Sequence, residues 1–135
     1  PYPWTIRADG ELCQILDLTL TNPYQAIDVG TKWNELHLIR NLFACPLKIG
    51  IYIDQCTDIG RIENVHFNPW FSMAPKLFEW QQQNGEAFIF GRTDWEYVNN
   101  TFVFPVNIGY RFIKTKAGAA SASITPPRMA LRGDS

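Results

Sequence analysis

A short motif returns at near-constant intervals along this chain, and a repeat of that kind decides the architecture before any local preference is weighed. The segments Ile39-Arg40-Asn41-Leu42-Phe43-Ala44-Cys45-Pro46, Ile62-Glu63-Asn64-Val65-His66-Phe67-Asn68-Pro69 and Val98-Asn99-Asn100-Thr101-Phe102-Val103-Phe104-Pro105 share one pattern: a β-branched residue, any residue, Asn, four further residues, Pro. Ile15-Leu16-Asp17 is a weaker copy, with Pro23 arriving one residue late. Positions 17, 41, 64 and 100 are separated by 24, 23 and 36 residues, and the longest gap equals one 23-residue repeat plus a 13-residue insertion. Past the proline the agreement continues, since Pro46–Ile53 and Pro105–Phe112 match at Pro, Ile, Gly and a closing apolar residue.

The repeat is filled with short alternating runs such as Leu18-Thr19-Leu20, Ile51-Tyr52-Ile53 and Phe88-Ile89-Phe90. Such runs are strands. A period without a leucine scaffold or an amphipathic helix fits a coil of parallel strands better than a leucine-rich or helical repeat. Successive coils lie ~4.8 Å apart, so equivalent residues stack in columns, and inward columns take like residues. Ile15, Ile39, Ile62 and Val98 form one such aliphatic column, and Leu12, Leu36, Ile59 and Trp95 a second. Asn41, Asn64 and Asn100, headed by Asp17, either join into a ladder of side-chain amides between coils, the preferred reading, or stabilise their own bends singly.

The insertion, about residues 70–85, holds Pro75 near a first helical turn and Gly85 just past a last one, so it predicts one short helix with Leu77, Phe78 and Trp80 as its apolar surface. Beyond Lys116 the chain turns to Ala, Ser, Gly and Pro, which predicts a β-helix domain over 1–116 and a disordered tail over 117–135. Arg132-Gly133-Asp134-Ser135 within that tail reads as a chance tetrapeptide.

Charge narrows the partners. Twelve Lys and Arg stand against 13 Asp and Glu, a net charge of −1 that argues against nucleic acid and anionic membranes as partners. No apolar run approaches the ~18 residues of a membrane helix. Three cysteines, Cys13, Cys45 and Cys56, leave one unpaired, match no zinc spacing, and read as buried thiols.

The segment from Gly50 to Phe67, followed by Phe88 to Tyr97, resembles bacterial members of the pectate-lyase-like right-handed β-helix superfamily, proteins related to polygalacturonase-type glycoside hydrolases. The resemblance covers roughly residues 12 to 114. It implies an all-β, right-handed parallel β-helix, here of about four coils with one short helical insertion. It also implies a carbohydrate-active protein, secreted or periplasmic, that holds a polysaccharide or oligosaccharide in a groove along the sheet. Members have many more coils, so the chain reads as an excerpt. The polygalacturonase signatures (Asn-x-Asp, Asp-Asp, Gly-His-Gly, Arg-x-Lys) are absent, and no family catalytic residue carries over.

Chemistry is therefore read from the columns. Glu11, Glu35, Asp58 and Asp94 each stand six positions before a member of the Asp17/Asn column. Carboxylates on adjacent coils, or two coils apart, bracket the ~5 to 5.5 Å of retaining and ~6.5 to 9.5 Å of inverting glycosidases. Stacked like charges raise each other's pKa, as a general acid needs. The column thus reads as a catalytic pair, as a calcium site, or as a solvated acidic turn. As catalytic residues Asp58 and Asp94 lead, with Glu35 next. Arg61, Arg92 and Glu96 are candidate sugar-binding groups, Asp54 a reserve, and Trp70 and Trp80 the preferred stacking platform, ahead of Trp33 and Trp95. His37 and His66 occupy different coil positions and suggest no metal pair, and no cofactor is expected beyond that calcium. The functional expectation is a polysaccharide-degrading enzyme, hydrolase in preference to lyase. Its alternative is a non-catalytic β-helix that binds carbohydrate or self-associates through exposed coil ends.

Overall fold

A computed structural model describes residues 2–69, 74–125 and 128–129. Its strands are β1 (Trp4–Arg7), β2 (Gly10–Glu11), β3 (Gln14–Leu20), β4 (Gln25–Val29), β5 (Asn34–Glu35), β6 (Leu38–Ala44), β7 (Ile49–Ile53), β8 (Gly60–Phe67), β9 (Glu86–Phe90), β10 (Thr93–Val103), β11 (Ile108–Phe112), β12 (Ala120–Ile124) and β13 (Arg128–Met129), with one helix, α1 (Pro75–Asn84). Every pairing between these strands is parallel. One sheet runs β1-β4-β7-β9-β11, a second β3-β6-β8-β10-β12, and β2 and β5 begin a narrow third ladder that Cys56 and Thr93 continue. The chain is a parallel β-solenoid of about five turns, one more than the motif count of four, because β11 and β12 form a last coil that carries no Asn–Pro motif, while β1 belongs to the coil of Asp17.

The asparagine column explains how each coil turns a corner. Asp17, Asn41, Asn64 and Asn100 have φ of 55°, 57°, 53° and 54°, the left-handed region that Asn and Asp enter most readily after glycine. A left-handed residue inside an extended run shifts the alternation, so inward positions fall at 39, 42 and 44 instead of every second residue. The same residues form the ladder: Asn41 Nδ2 donates to Asp17 Oδ1 at 2.7 Å, Asn64 Nδ2 to Asn41 Oδ1 at 2.9 Å and Asn100 Nδ2 to Asn64 Oδ1 at 3.0 Å. Bend and ladder are one device.

Of the two expected aliphatic columns, Ile39, Ile62 and Val98 are buried, with Ile15 packed against them at the end of the stack. The Leu12 column is a correction. Leu12 is 62% exposed and Trp95 39%, and Leu12 and Leu36 have φ of 62° and 56°, which turns these side chains outward just before each strand. The inward column at that corner is instead the next one, Cys13, His37, Gly60 and Glu96.

Helix α1 fills the insertion between β8 and β9, starting on Pro75 and stopping before Gly85 as the spacing predicts. It docks on a coil corner through buried Gln81, whose Nε2 donates to Pro46 O at 2.9 Å, and through Lys48 Nζ, which donates to Asn84 O at 2.9 Å. The expectation of disorder from residue 117 is corrected over 120–124. There Ala120-Ser121-Ala122-Ser123-Ile124 adds to the edge of β10, with Ala120 and Ile124 against the core. Small residues alternate well enough to present a backbone that the open edge can pair, whatever their low hydrophobicity. The Arg132–Ser135 tetrapeptide and Trp70 lie outside the described residues. Among the described residues no helix is long and apolar enough to cross a membrane.

Candidate functional site

Where α1 meets the coil corner the surface opens into a groove of about 620 Å³, lined by Tyr2, Asn22, Tyr24, Leu47, Lys76, Leu77 and Trp80. Three of these side chains are aromatic and adjoin: the Tyr2 and Tyr24 rings are 4.6 Å apart, the Tyr24 and Trp80 rings 6.1 Å. Of the two expected stacking residues, Trp80 lines this groove and Trp70 lies outside the described residues. Flat rings with phenol and indole edges match the alternating apolar face and hydroxyl rim of a pyranose, and Asn22 and Lys76 add hydrogen-bonding groups at the border.

The acidic column is broken at Asp58, although Glu11 and Glu35 stand in register on adjacent coils. Asn34, Cys56 and Thr93 stand on one level, and so do His37, Gly60 and Glu96. Between those levels the chain uses residues 57–59 in one coil where its neighbours use only 35–36 and 94–95. The extra residue slips the register by one, which brings Thr57 beside Glu35 in the place expected for Asp58. Thr57 Oγ1 donates to Glu35 Oε1 at 2.8 Å and accepts from Trp33 Nε1 at 2.8 Å. Asp58 is exposed and accepts from the Ile59 backbone N–H at 2.8 Å. Asp94 is exposed and held by Arg92, whose Nε and Nη2 donate to its two oxygens at 2.9 and 3.2 Å. Glu35, Asp58 and Asp94 thus each have a separate hydrogen-bond partner, and Asp58 and Asp94 do not face one another across adjacent coils.

The remaining candidates scatter. Arg61 lies on the outer side of β8, in register with Leu38 and Tyr97, and the Tyr97 and Trp95 rings meet edge to face at 6.3 Å. Trp33 and Trp95 are exposed on the solenoid flank. Asp54 is buried, accepting from the backbone N–H groups of Gln55 and Arg92 at 2.8 and 2.7 Å and from Thr115 Oγ1 at 2.9 Å, a structural clasp between coils. Glu96 is a correction: it is 0% exposed and points into the solenoid, because it occupies the inward column beside Val98. It cannot touch a substrate on the surface.

Inside, Glu96 meets His37. Their Cα atoms are two coils apart, roughly 10 Å by strand spacing. Their side chains nevertheless touch, His37 Nε2 to Glu96 Oε2 at 2.6 Å, across the coil that carries Gly60. A Cβ at Gly60 would fall 2.3 Å from His37 Nε2 and 2.5 Å from Glu96 Oε1. Glycine is required there for room. Asn34 Nδ2 donates to Asp54 O at 2.7 Å, which turns its Oδ1 toward His37 Nδ1 at 3.0 Å and assigns the Nδ1 proton. Thr93 Oγ1 donates to Glu96 Oε1 at 2.9 Å, and Cys56 Sγ lies 3.9 Å from His37 Nδ1. Burial works against the imidazolium, but the Glu96 carboxylate and the hydrogen bonds of Glu96 and Cys56 outweigh it and push the His37 pKa up to about 9. His66 is placed quite differently, its ring stacked at 6.1 and 4.5 Å between Phe43 and Phe102 on the outer side of β8, where burial lowers its pKa. The three cysteines are free thiols, Cys45 and Cys56 buried and Cys13 partly so.

The sequence signal for the His37–Glu96 contact is the unlike column Cys13, His37, Gly60, Glu96, with one glycine between two polar residues. The class that the fold defines is a parallel β-solenoid. No protein-family model, curated protein or solved structure matches the chain.

Proposed function

We propose that this β-solenoid is a carbohydrate-binding protein that takes saccharide in the groove between α1 and the coil corner, and that it binds without cleaving. The observation that carries the reading is the row Tyr2–Tyr24–Trp80 lining a groove whose described walls hold no carboxylate. Pyranose rings stack on the three aromatics, Asn22 engages hydroxyls, and Lys76, the single charged residue among the described lining residues, favours sugars bearing a carboxylate. Glycoside hydrolysis needs two carboxyl groups flanking the bond, and Asp58, Asp94 and Glu35 are partnered elsewhere.

The test is migration in gels containing pectin, xylan, β-glucan, cellulose or arabinan, run beside a reducing-sugar assay. Retardation by at least one polysaccharide, lost in Trp80→Ala and in Tyr24→Ala, without sugar release, is expected. Unretarded migration in every gel would sink the proposal. Sugar release that disappears in Asp58→Asn or Asp94→Asn would instead restore the hydrolase reading.

A further inference from the structure

We propose that His37, Cys56 and Glu96 form a buried binding site for a divalent transition metal of the zinc type, one that pins three coils of the solenoid together. The three side chains bring one nitrogen, one sulfur and one oxygen donor within 4.8 Å of one another, all buried. Mixed imidazole, thiolate and carboxylate donation suits zinc and cobalt(II), and sulfur argues against calcium or magnesium.

The surroundings are those that a metal ligand requires. A ligating histidine donates its second ring N–H to a fixed acceptor, which orients the ring. Asn34 Oδ1 is that acceptor at 3.0 Å, and it leaves Nε2 aimed at Glu96. Thr93 Oγ1 holds the other Glu96 oxygen at 2.9 Å. Gly60 keeps a side chain out of the space beside Nε2, since a Cβ there would sit 2.3 Å away, and Cys56 Sγ, which donates to Asp58 O at 2.6 Å and lies 3.9 Å from Nδ1, turns from that carbonyl to bind. The 2.6 Å between Nε2 and Oε2 is a hydrogen-bond length, whereas donors ~2.0–2.1 Å from a tetrahedral ion lie roughly 3.3 Å apart. Uptake opens the pair by less than about 1 Å, within reach of side-chain rotation.

Charge balances in the exchange. Without metal, His37 Nε2 and Glu96 Oε2 share one proton-bearing contact at 2.6 Å and the Cys56 thiol donates to Asp58 O at 2.6 Å. When a dication enters, the Nε2 proton and the Cys56 thiol proton leave to solvent. Nitrogen and sulfur lone pairs then bind the ion, and the dication is neutralised by one thiolate and one carboxylate. The loaded site is neutral, as a low-dielectric interior demands.

The test is cobalt(II) titration of reduced, chelator-treated protein. One equivalent should bring visible bands of tetrahedral intensity and a near-ultraviolet thiolate-to-cobalt band, release about two protons per ion at neutral pH, and be bleached by zinc. The Cys13→Ser/Cys45→Ser double variant should keep the spectrum. Cys56→Ser should lose the charge-transfer band and at least tenfold in affinity. Absence of any cobalt spectrum in folded parent protein, with no change in its melting temperature on adding zinc, overturns the site. So does a thiolate band that survives Cys56→Ser. The parent titration decides the question even if that variant does not fold.

Discussion

Replacing Asn64 isolates the device that bends every coil. Asn64 has φ of 53°, donates to Asn41 at 2.9 Å and accepts from Asn100 at 3.0 Å, so it sits in the middle of the ladder. Asn64→Ala removes two side-chain hydrogen bonds, about 0.5–1.5 kcal/mol each. The lower half of that range applies, because the Asn41 and Asn64 side chains are half-buried, Asn100 is exposed, and water reaches the partners left behind. Alanine must also hold a left-handed backbone, at about 1–2 kcal/mol. The sum is a loss of roughly 2–4 kcal/mol. Asn64→Gly loses the same hydrogen bonds, escapes the left-handed penalty and incurs about 0.5–1 kcal/mol of backbone entropy. Glycine should therefore be the milder substitution, the reverse of the usual order within a strand. Urea denaturation followed by tryptophan fluorescence reads the difference as a midpoint shift, with a slope of about 1–3 kcal/mol per molar urea. If Asn64→Gly proves as destabilising as Asn64→Ala, backbone geometry is not what selects asparagine. If both variants stay within about 0.5 kcal/mol of the parent, the ladder contributes nothing and the argument fails.

Other consequences rest on the interior and on the helix. The folded pKa of His37, about 9, lies above the ordinary 6.5, so the stability it contributes in metal-free protein is complete below pH 6.5 and is lost as pH rises through 9. The loss is on the order of 3 kcal/mol, and Glu96→Gln should flatten that limb of a melting-temperature-against-pH curve; an unchanged slope would refute the pairing. Gly60→Ala drives a methyl between His37 and Glu96, which should cost about 3–5 kcal/mol in a denaturant titration, and a near-neutral result would contradict the close approach. Gln81→Ala removes the bond from α1 to Pro46 O without touching a groove-lining side chain, so saccharide retardation should weaken while Trp80 remains; full retention would show that α1 needs no such anchor.

The repeat made the fold legible because a solenoid writes its geometry into spacing. A β-branched residue, Asn and Pro at constant offsets carry an inward column, a left-handed corner and the entry to the next strand, and no other part of the fold was needed to see them. The last coil was invisible for the same reason: β12 pairs with β10 through backbone groups that leave no motif. The helix of the insertion was legible as well, since Pro75 and Gly85 bracket it and it has only the flank to lie on. The acidic column failed on one residue. Counting back from asparagine assumes equal arc length in every coil, and residues 57–59 make one arc longer, so Asp58 drops out of line with Glu35 and Asp94.

That same arc governs the interior. A column of like residues stacks itself, and it needs no information beyond apolarity. The column Cys13, His37, Gly60, Glu96 cannot stack in that way: each member differs, and its contacts skip a coil. Such a column holds only if glycine clears the middle, if Asn34 fixes the imidazole, and if Thr93 fixes the carboxylate. Replacing His37 and Glu96 by leucine and valine would satisfy the core as well as Ile39 and Val98 do two residues on, and would remove the cost of desolvating the polar pair. The three requirements interlock, so a change at Gly60, Asn34 or Thr93 should disturb the His37–Glu96 contact as a whole, and with it the proposed metal site, in which Cys56 on the neighbouring level joins the pair.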